Sequence, residues 1–255
     1  MVRVIVTRPA TQAADWVARL LACGIDALPL ALIGIAPALD ATVVPAAWAG
    51  LHGRRLVVFV SPNAAEQYFA GRPSGMTWPA GVLAGSPGPG TTQTLRALGV
   101  PPADIIEPAA DALQFDSEAL WEQLSGRDWS GASVLIVRGD GGREWLTDTL
   151  RRRGAVVDAV SAYRRCAPVF GSTERELLSA AIRQPEAYLW FFSSSEAVDN
   201  LAAWAGSADA PWRQAHALAT HPRIAERARQ KGFRNVTEAR PALSSVVACI
   251  QSIRS

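Results

Sequence analysis

The sequence predicts an α/β protein built from doubly wound parallel sheets, and three observations carry that prediction. Short runs rich in Val, Ile, Leu and Phe alternate with longer helical patterns along the chain. The short runs are apolar throughout rather than at every second residue, as in strands whose two faces are both covered by helices. The chain also says the same thing twice. Residues 2–9 lead into a helical stretch closed by Gly24, and residues 133–139 lead into one closed by Gly154, an offset of 130 (8 to 138, 24 to 154). Residues 59–64 match 192–197, and 88–99 match 221–232, at an offset of 133 (59 to 192, 99 to 232). Three strand-then-helix units thus recur in order and at nearly constant spacing.

Each element has a local reason. Residues 2–7 form the first predicted strand, Thr11 opens the helix that carries Asp15, Trp16 and Leu20, and Gly24 ends it. Residues 56–60 form the next strand, and Ser61-Pro62 starts a helix over 64–69. Residues 81–84 precede a helix that stops at Gly99, and residues 134–137 precede one that stops at Gly154. Residues 188–192 lead through Ser194 or Ser195 into a helix over 196–204, and residues 215–219 lead into one ending at Gly232. Two segments break the alternation, 31–40 with Pro37 and 161–168 with Tyr163-Arg164-Arg165. Either each repeat is one contiguous domain, with a boundary near 126–131 and these segments as loops, or the chain crosses twice between two domains at these segments. The pattern leaves both layouts open.

Composition narrows the functional classes. The 255 residues are 49% hydrophobic, carry a net charge of +2 and contain 19% charged residues. That excludes a global basic field for nucleic acid. Lys231 is the single lysine, so no Schiff-base site exists elsewhere. Cys23, Cys166 and Cys249 lack metal or redox spacing and read as reduced thiols. The first strand carries Arg3 and Arg8 and no apolar run reaches membrane-spanning length, so a soluble cytoplasmic protein is expected, with no membrane and no metal.

In doubly wound domains, ligands sit beyond the carboxyl ends of the strands, where helix N-termini present unpaired N–H groups. Every repeated motif lies at such a corner. Ser61, Asn63, Gly90, Thr91, Gly139, Arg143, Ser193, Ser194, Ser195, His221 and Arg223 would ring a cleft between domains with donors suited to carboxylates. The competing reading is that these residues only cap helices. Arg8 and Arg138 are repeat equivalents just past their strands; each either grips a carboxylate of the ligand or forms a salt bridge inside its domain. His221 reads equally as a carboxylate contact or a cap. Asp140-Gly141-Gly142 reads as a surface turn, because Asp140 would oppose an anion in a backbone nest.

Together, Thr7-Arg8-Pro9, residues 59–64, Gly88-Pro89-Gly90-Thr91, Arg138-Gly139 with Gly142-Arg143, Tyr163-Arg164-Arg165, residues 192–198 and residues 220–225 resemble uroporphyrinogen-III synthase along the whole chain. Each motif is common alone; their order carries the likeness. The resemblance implies two flavodoxin-like domains joined by two linkers. One is discontinuous, 1–35 plus 168–255, the other is inserted, 40–162, and residues 36–39 and 163–167 are the linkers. It implies a cofactor-independent carbon–oxygen lyase, acting as a monomer, that cyclises the linear tetrapyrrole hydroxymethylbilane with loss of water and inversion of the last ring. That task is largely one of orientation, with electrostatic support for a developing cation. The resemblance places Tyr163 in a linker facing the cleft, as a general acid for loss of the hydroxyl. A phenol of ordinary pKa about 10 is a weak acid, so positioning of the leaving group is the larger part of that role. Where relatives carry a Gly-Pro-Thr-like turn, this chain has His221-Pro222-Arg223-Ile224, which replaces a hydroxyl contact with a charged one.

Two other classes stand against this one. A non-enzymatic two-domain binder of a polyanionic small molecule would share the same corners. A sugar-nucleotide transferase is disfavoured by residues 85–90, whose glycine spacing and prolines do not match a dinucleotide loop.

Overall fold

The computed structural model describes residues 2–205 and 212–254, the side chain of Arg254 excepted; residues 206–211 and 255, within the expected 168–255 segment, lie outside the described residues. In chain order the elements are β1 (Arg3–Val6), α1 (Ala10–Ala22), β2 (Ala27–Pro29), β3 (Gly34–Pro37), α2 (Val43–Ala49), β4 (Leu56–Phe59), α3 (Pro62–Ala70), β5 (Leu83–Gly85), α4 (Pro89–Ala97), β6 (Ile105–Ile106), α5 (Ser117–Leu124), β7 (Ser133–Gly139), α6 (Trp145–Arg152), β8 (Val156–Cys166), α7 (Ser172–Arg183), β9 (Tyr188–Phe192), α8 (Ser195–Ala205), β10 (His216–Ala219), α9 (Pro222–Gln230), β11 (Asn235–Glu238) and α10 (Leu243–Arg254). They form two compact units, Met1–Gly34 with Cys166–Ser255, and Ile35–Arg165.

The first unit holds a five-stranded sheet in the order β11-β10-β9-β1-β2, and the second a six-stranded sheet in the order β3-β8-β7-β4-β5-β6. All pairings from β11 to β2 and from β8 to β6 are parallel. The sequence repeat shows how the two relate. Under the offsets of 130 and 133, β1 corresponds to β7 and β9 to β4. The spatial orders β2-β1-β9-β10-β11 and β8-β7-β4-β5-β6 are therefore the same, position for position. Each unit combines the front of one repeat with the back of the other, so the second sheet is a circular permutation of the first.

Strand polarity follows from burial on both faces. In β4 and β7, Val57, Phe59, Leu135 and Val137 pack with Trp48, Tyr68, Phe69 and Trp78 on one side. Leu56, Val58, Val134 and Ile136 pack with Leu120, Trp129, Leu146 and Leu150 on the other. Successive strand residues face opposite ways, so both parities must be apolar. Each fully buried Val, Leu or Phe stabilises the fold by roughly 1.5–3 kcal/mol. In the first unit, Val4, Val6, Trp16, Leu20, Leu189, Phe191, Leu218, Val246 and Ile250 form one such layer. The repeat-paired stop signals Gly24 and Gly154 adopt left-handed φ values of 74° and 87°, which a side chain would strain.

Two expectations need correction. The segments expected as linkers, 36–39 and 163–167, are partly strand. β3 runs to Pro37 and β8 to Cys166, and the two are neighbours in the second sheet. A register shift between Arg138 and Gly139 lets β8 continue, and Gly139 pairs with Tyr163. Such a shift hides the strand from a period-two pattern. Secondly, α1 begins at Ala10 with Pro9 as its N-cap and no side-chain cap, so Thr11 does not open it.

Candidate functional site

In the first unit the corner between β1 and α1 stands beside that between β9 and α8. The sequence connections leave β1 and β9 in opposite directions across the sheet, the place where doubly wound sheets bind ligands. Thr7 fastens the two strands, its amide and hydroxyl both donating to the Phe191 carbonyl at 3.2 and 2.8 Å. Arg8 follows. Its guanidinium lies 5.0 Å from the Trp16 ring centroid and 5.9 Å from that of Phe191. Its Nε is buried without a hydrogen-bond partner, and no carboxylate among the described residues forms a salt bridge with it. Burial, and then the neighbouring charge of Arg19, push its pKa down to about 10. The side chain remains charged at neutral pH. Of the two readings for Arg8, the internal salt bridge is not present.

The remaining first-unit candidates sit on the next two corners. Ser194 Oγ accepts the amide of Glu196 at 3.2 Å, and His221 Nδ1 accepts that of Arg223 at 3.1 Å, so both side chains cap helices. Ser193 and Ser195 are half-buried. Ser195 and Arg223 are brought together on a hollow of about 390 Å³, shared with Pro222, Glu226, Arg227 and Gln230.

The second unit places the equivalent corners differently. Ser61, at the end of β4, accepts the Ala64 amide at 3.2 Å and so caps α3. Its Oγ also lies 3.2 Å from the Tyr163 hydroxyl. Gly139, the last residue of β7, completes the group. A Cβ there would stand 3.0 Å from both Cε2 and Cζ of Tyr163 and 3.3 Å from its hydroxyl. Gly139 is therefore glycine because the tyrosine ring occupies the space of a side chain. Tyr163 is fully buried in the second unit's core and lies within β8, where a linker facing the cleft was expected. The ends of three strands thus bring together Ser61, Gly139 and Tyr163.

The other second-unit candidates scatter around this group. Asn63 and Thr91 are buried in the first turns of α3 and α4, and Gly90 is exposed. Arg138 is paired with Glu144, whose carboxyl is held below its ordinary range by that hydrogen bond. The contrast with Arg8 is direct: here the salt bridge inside the unit is the observed state. Arg143 is paired with Glu118 through both terminal guanidinium nitrogens. Asp140 accepts the Arg165 amide at 3.0 Å and pins the end of β8, as suits a turn rather than an anion nest.

Sequence reasoning missed the aromatic platform under Arg8, although Trp16 lies on the face of α1 that packs inward with Leu20. It also missed Glu144, a carboxylate six residues after Arg138. The need for glycine at 139 left no local signal, because it arises from pairing across the irregular β7–β8 register. Among the described residues no helix is long and apolar enough to cross a membrane.

The comparisons agree with one another. The family model described as Uroporphyrinogen-III synthase HemD matches residues 14–248. Uroporphyrinogen-III synthase of Salmonella typhimurium is 31% identical over 175 residues, covering 68% of this chain and 69% of that one. That of Escherichia coli is 31% identical over 126 residues, 47% and 48% of the two chains. Among solved structures, a mutant uroporphyrinogen III synthase of Thermus thermophilus aligns over 100% of this chain and 99% of its own, with a TM-score of 0.59 and 16% identity. The Helicobacter pylori uroporphyrinogen-III synthetase covers 100% of both chains at a TM-score of 0.58 and 15% identity. The structures support the α/β fold, and the family model with the Salmonella relative reaches further: the chain belongs to the uroporphyrinogen-III synthase family, enzymes of tetrapyrrole biosynthesis.

Proposed function

We propose that the protein cyclises hydroxymethylbilane to uroporphyrinogen III, with inversion of the terminal ring and loss of water. The observation that carries this reading is the convergence of Ser61, Gly139 and Tyr163 at the carboxyl ends of β4, β7 and β8. A reaction governed by orientation needs directional hydroxyl donors of this kind.

The hydrogen-bond inventory of Ser61 defines its part. A serine oxygen accepts two bonds and donates one. Ser61 Oγ already accepts from the Ala64 amide. When the Tyr163 hydroxyl donates to it as well, both acceptor positions are filled and the Ser61 proton is left to donate outward, towards the substrate hydroxyl that departs. Tyr163, fully buried, acts in this arrangement through Ser61 as a positioning residue. In that role the phenol fixes the direction of a donor and polarises it.

The test is to incubate the purified protein with freshly generated hydroxymethylbilane and separate the isomers. The inverted isomer is expected well above the spontaneous, uninverted background. Formation of the uninverted isomer alone, with tight tetrapyrrole binding, would instead identify a binding protein.

A further inference from the structure

We propose that Arg8 is a preformed seat for a single carboxylate in the first unit, one that binds substrate without entering the chemistry. The case begins with charge. Two guanidiniums share the Trp16 ring, Arg8 at 5.0 Å and Arg19 at 5.1 Å. One carboxylate lies in this group, Asp15, and it is engaged with Arg19 at 3.5 Å. One positive charge is therefore left over, on Arg8, with a buried Nε that donates to nothing. An uncompensated charge with an unmet donor is costly unless something fills it. Its natural complement is planar, anionic and two-pronged, which is a carboxylate.

The repeat explains how the seat arose. Arg138 occupies the equivalent place in the second unit and is satisfied internally by Glu144. At the offset of 130, the residue matching Glu144 is Ala14 and that matching Trp16 is Leu146. The first unit thus has the platform without the counter-ion, and the second has the counter-ion without the platform. Stacking on Trp16 and Phe191 holds the guanidinium in place before a ligand arrives, which lowers the ordering cost of binding.

That the carboxylate belongs to the tetrapyrrole rests on the synthase reading; the seat itself does not. Titration of the wild-type protein with propionate, followed by NMR of arginine Nε–H signals, reads the seat directly. The Arg8 signal should shift saturably at millimolar propionate, and more than that of Arg138. The same shift in both, or none in Arg8, overturns the proposal. In parallel, R8Q and R8K are compared with wild type in the isomer assay. A charge-assisted pair at a partly buried position is worth roughly tenfold or more in binding, so R8Q should raise KM about tenfold with kcat within twofold. R8K should fall between, having charge without the fork. If R8Q makes the inverted isomer at unchanged KM, the seat is not used and the proposal fails while the synthase reading stands. If wild type makes no inverted isomer but propionate still moves the Arg8 signal, the seat stands and the reading fails.

Discussion

The corner after β1 and the corner after β7 occupy the same place in equivalently ordered sheets, and each begins with an arginine from the same repeat position. Arg8 stacks on an aromatic floor and, among the described residues, forms no salt bridge with a carboxylate; Arg138 is held by Glu144. Repetition has conserved where the arginine stands, while its neighbours decide what it is available to do. The two units therefore carry different endowments on a shared frame. The first offers unspent positive charge, and the second offers hydroxyls locked in place by a buried tyrosine.

The largest effect should come from the side of the comparison that is packed rather than charged. Gly139→Ala places a methyl 3.0 Å from the Tyr163 ring, whose surroundings are fully buried. Overpacking of this kind costs about 1–3 kcal/mol, and the ring cannot yield without moving its hydroxyl from Ser61. Thermal stability should fall and turnover should drop by at least tenfold. Tyr163→Phe keeps the shape and removes the hydroxyl, so turnover should fall with only a small change in melting temperature. The decisive measurement is the pair: in a Tyr163→Phe background, Gly139→Ala should cost stability but little further turnover. Full additivity in turnover would mean that Gly139 acts on the reaction independently of the tyrosine.

The charged side of the comparison should respond with the opposite sign in stability. Arg8→Met removes a desolvated charge whose pKa burial has pushed down from the ordinary guanidinium range to about 10. The shift taken at face value is about 3 kcal/mol, but the side chain is only partly buried and stacking on Trp16 offsets some of it. A net gain of about 1 kcal/mol is expected, together with weaker tetrapyrrole binding. The pH dependence has a defined direction. Because the folded-state pKa lies below the unfolded one, the penalty is complete below pH 10 and fades as pH rises from 10 towards the ordinary guanidinium range. The stability advantage of Arg8→Met over wild type, measured as a difference of denaturation midpoints, should therefore shrink across that window. A variant less stable than wild type at pH 7 would show that stacking outweighs desolvation.

These contrasts also mark how much the sequence disclosed. Sheet architecture was legible because burial on both faces demands apolar residues at both parities, as in Leu56–Phe59. The corners were legible because capping residues and stop glycines act within a few positions. What was hidden depends on partners brought together by pairing. Tyr163 looked like a linker residue because the strand holding it resumes after a register shift. Arg8 and Arg138 looked alike because their difference lies in Ala14 against Glu144 and Trp16 against Leu146, positions that become informative only once the repeats are superposed.

The smallest effect tests that superposition most directly. Glu144→Ala should free Arg138, and because the pair is solvent-exposed the loss of stability should stay below about 1 kcal/mol. The Glu144 carboxyl is held below its ordinary range by the Arg138 hydrogen bond. Its contribution is therefore present above the unfolded carboxyl pKa and is lost as pH falls through the lower folded value. Wild type and Glu144→Ala should differ near neutrality and converge in acid. Freed Arg138 should still not become a second seat, since Leu146 and Val58 stand where Trp16 and Phe191 hold the other guanidinium. In the propionate titration its Nε–H signal should stay close to its starting position. A saturable shift there would show that removing the counter-ion alone creates a carboxylate site, and that the aromatic floor beneath Arg8 is dispensable.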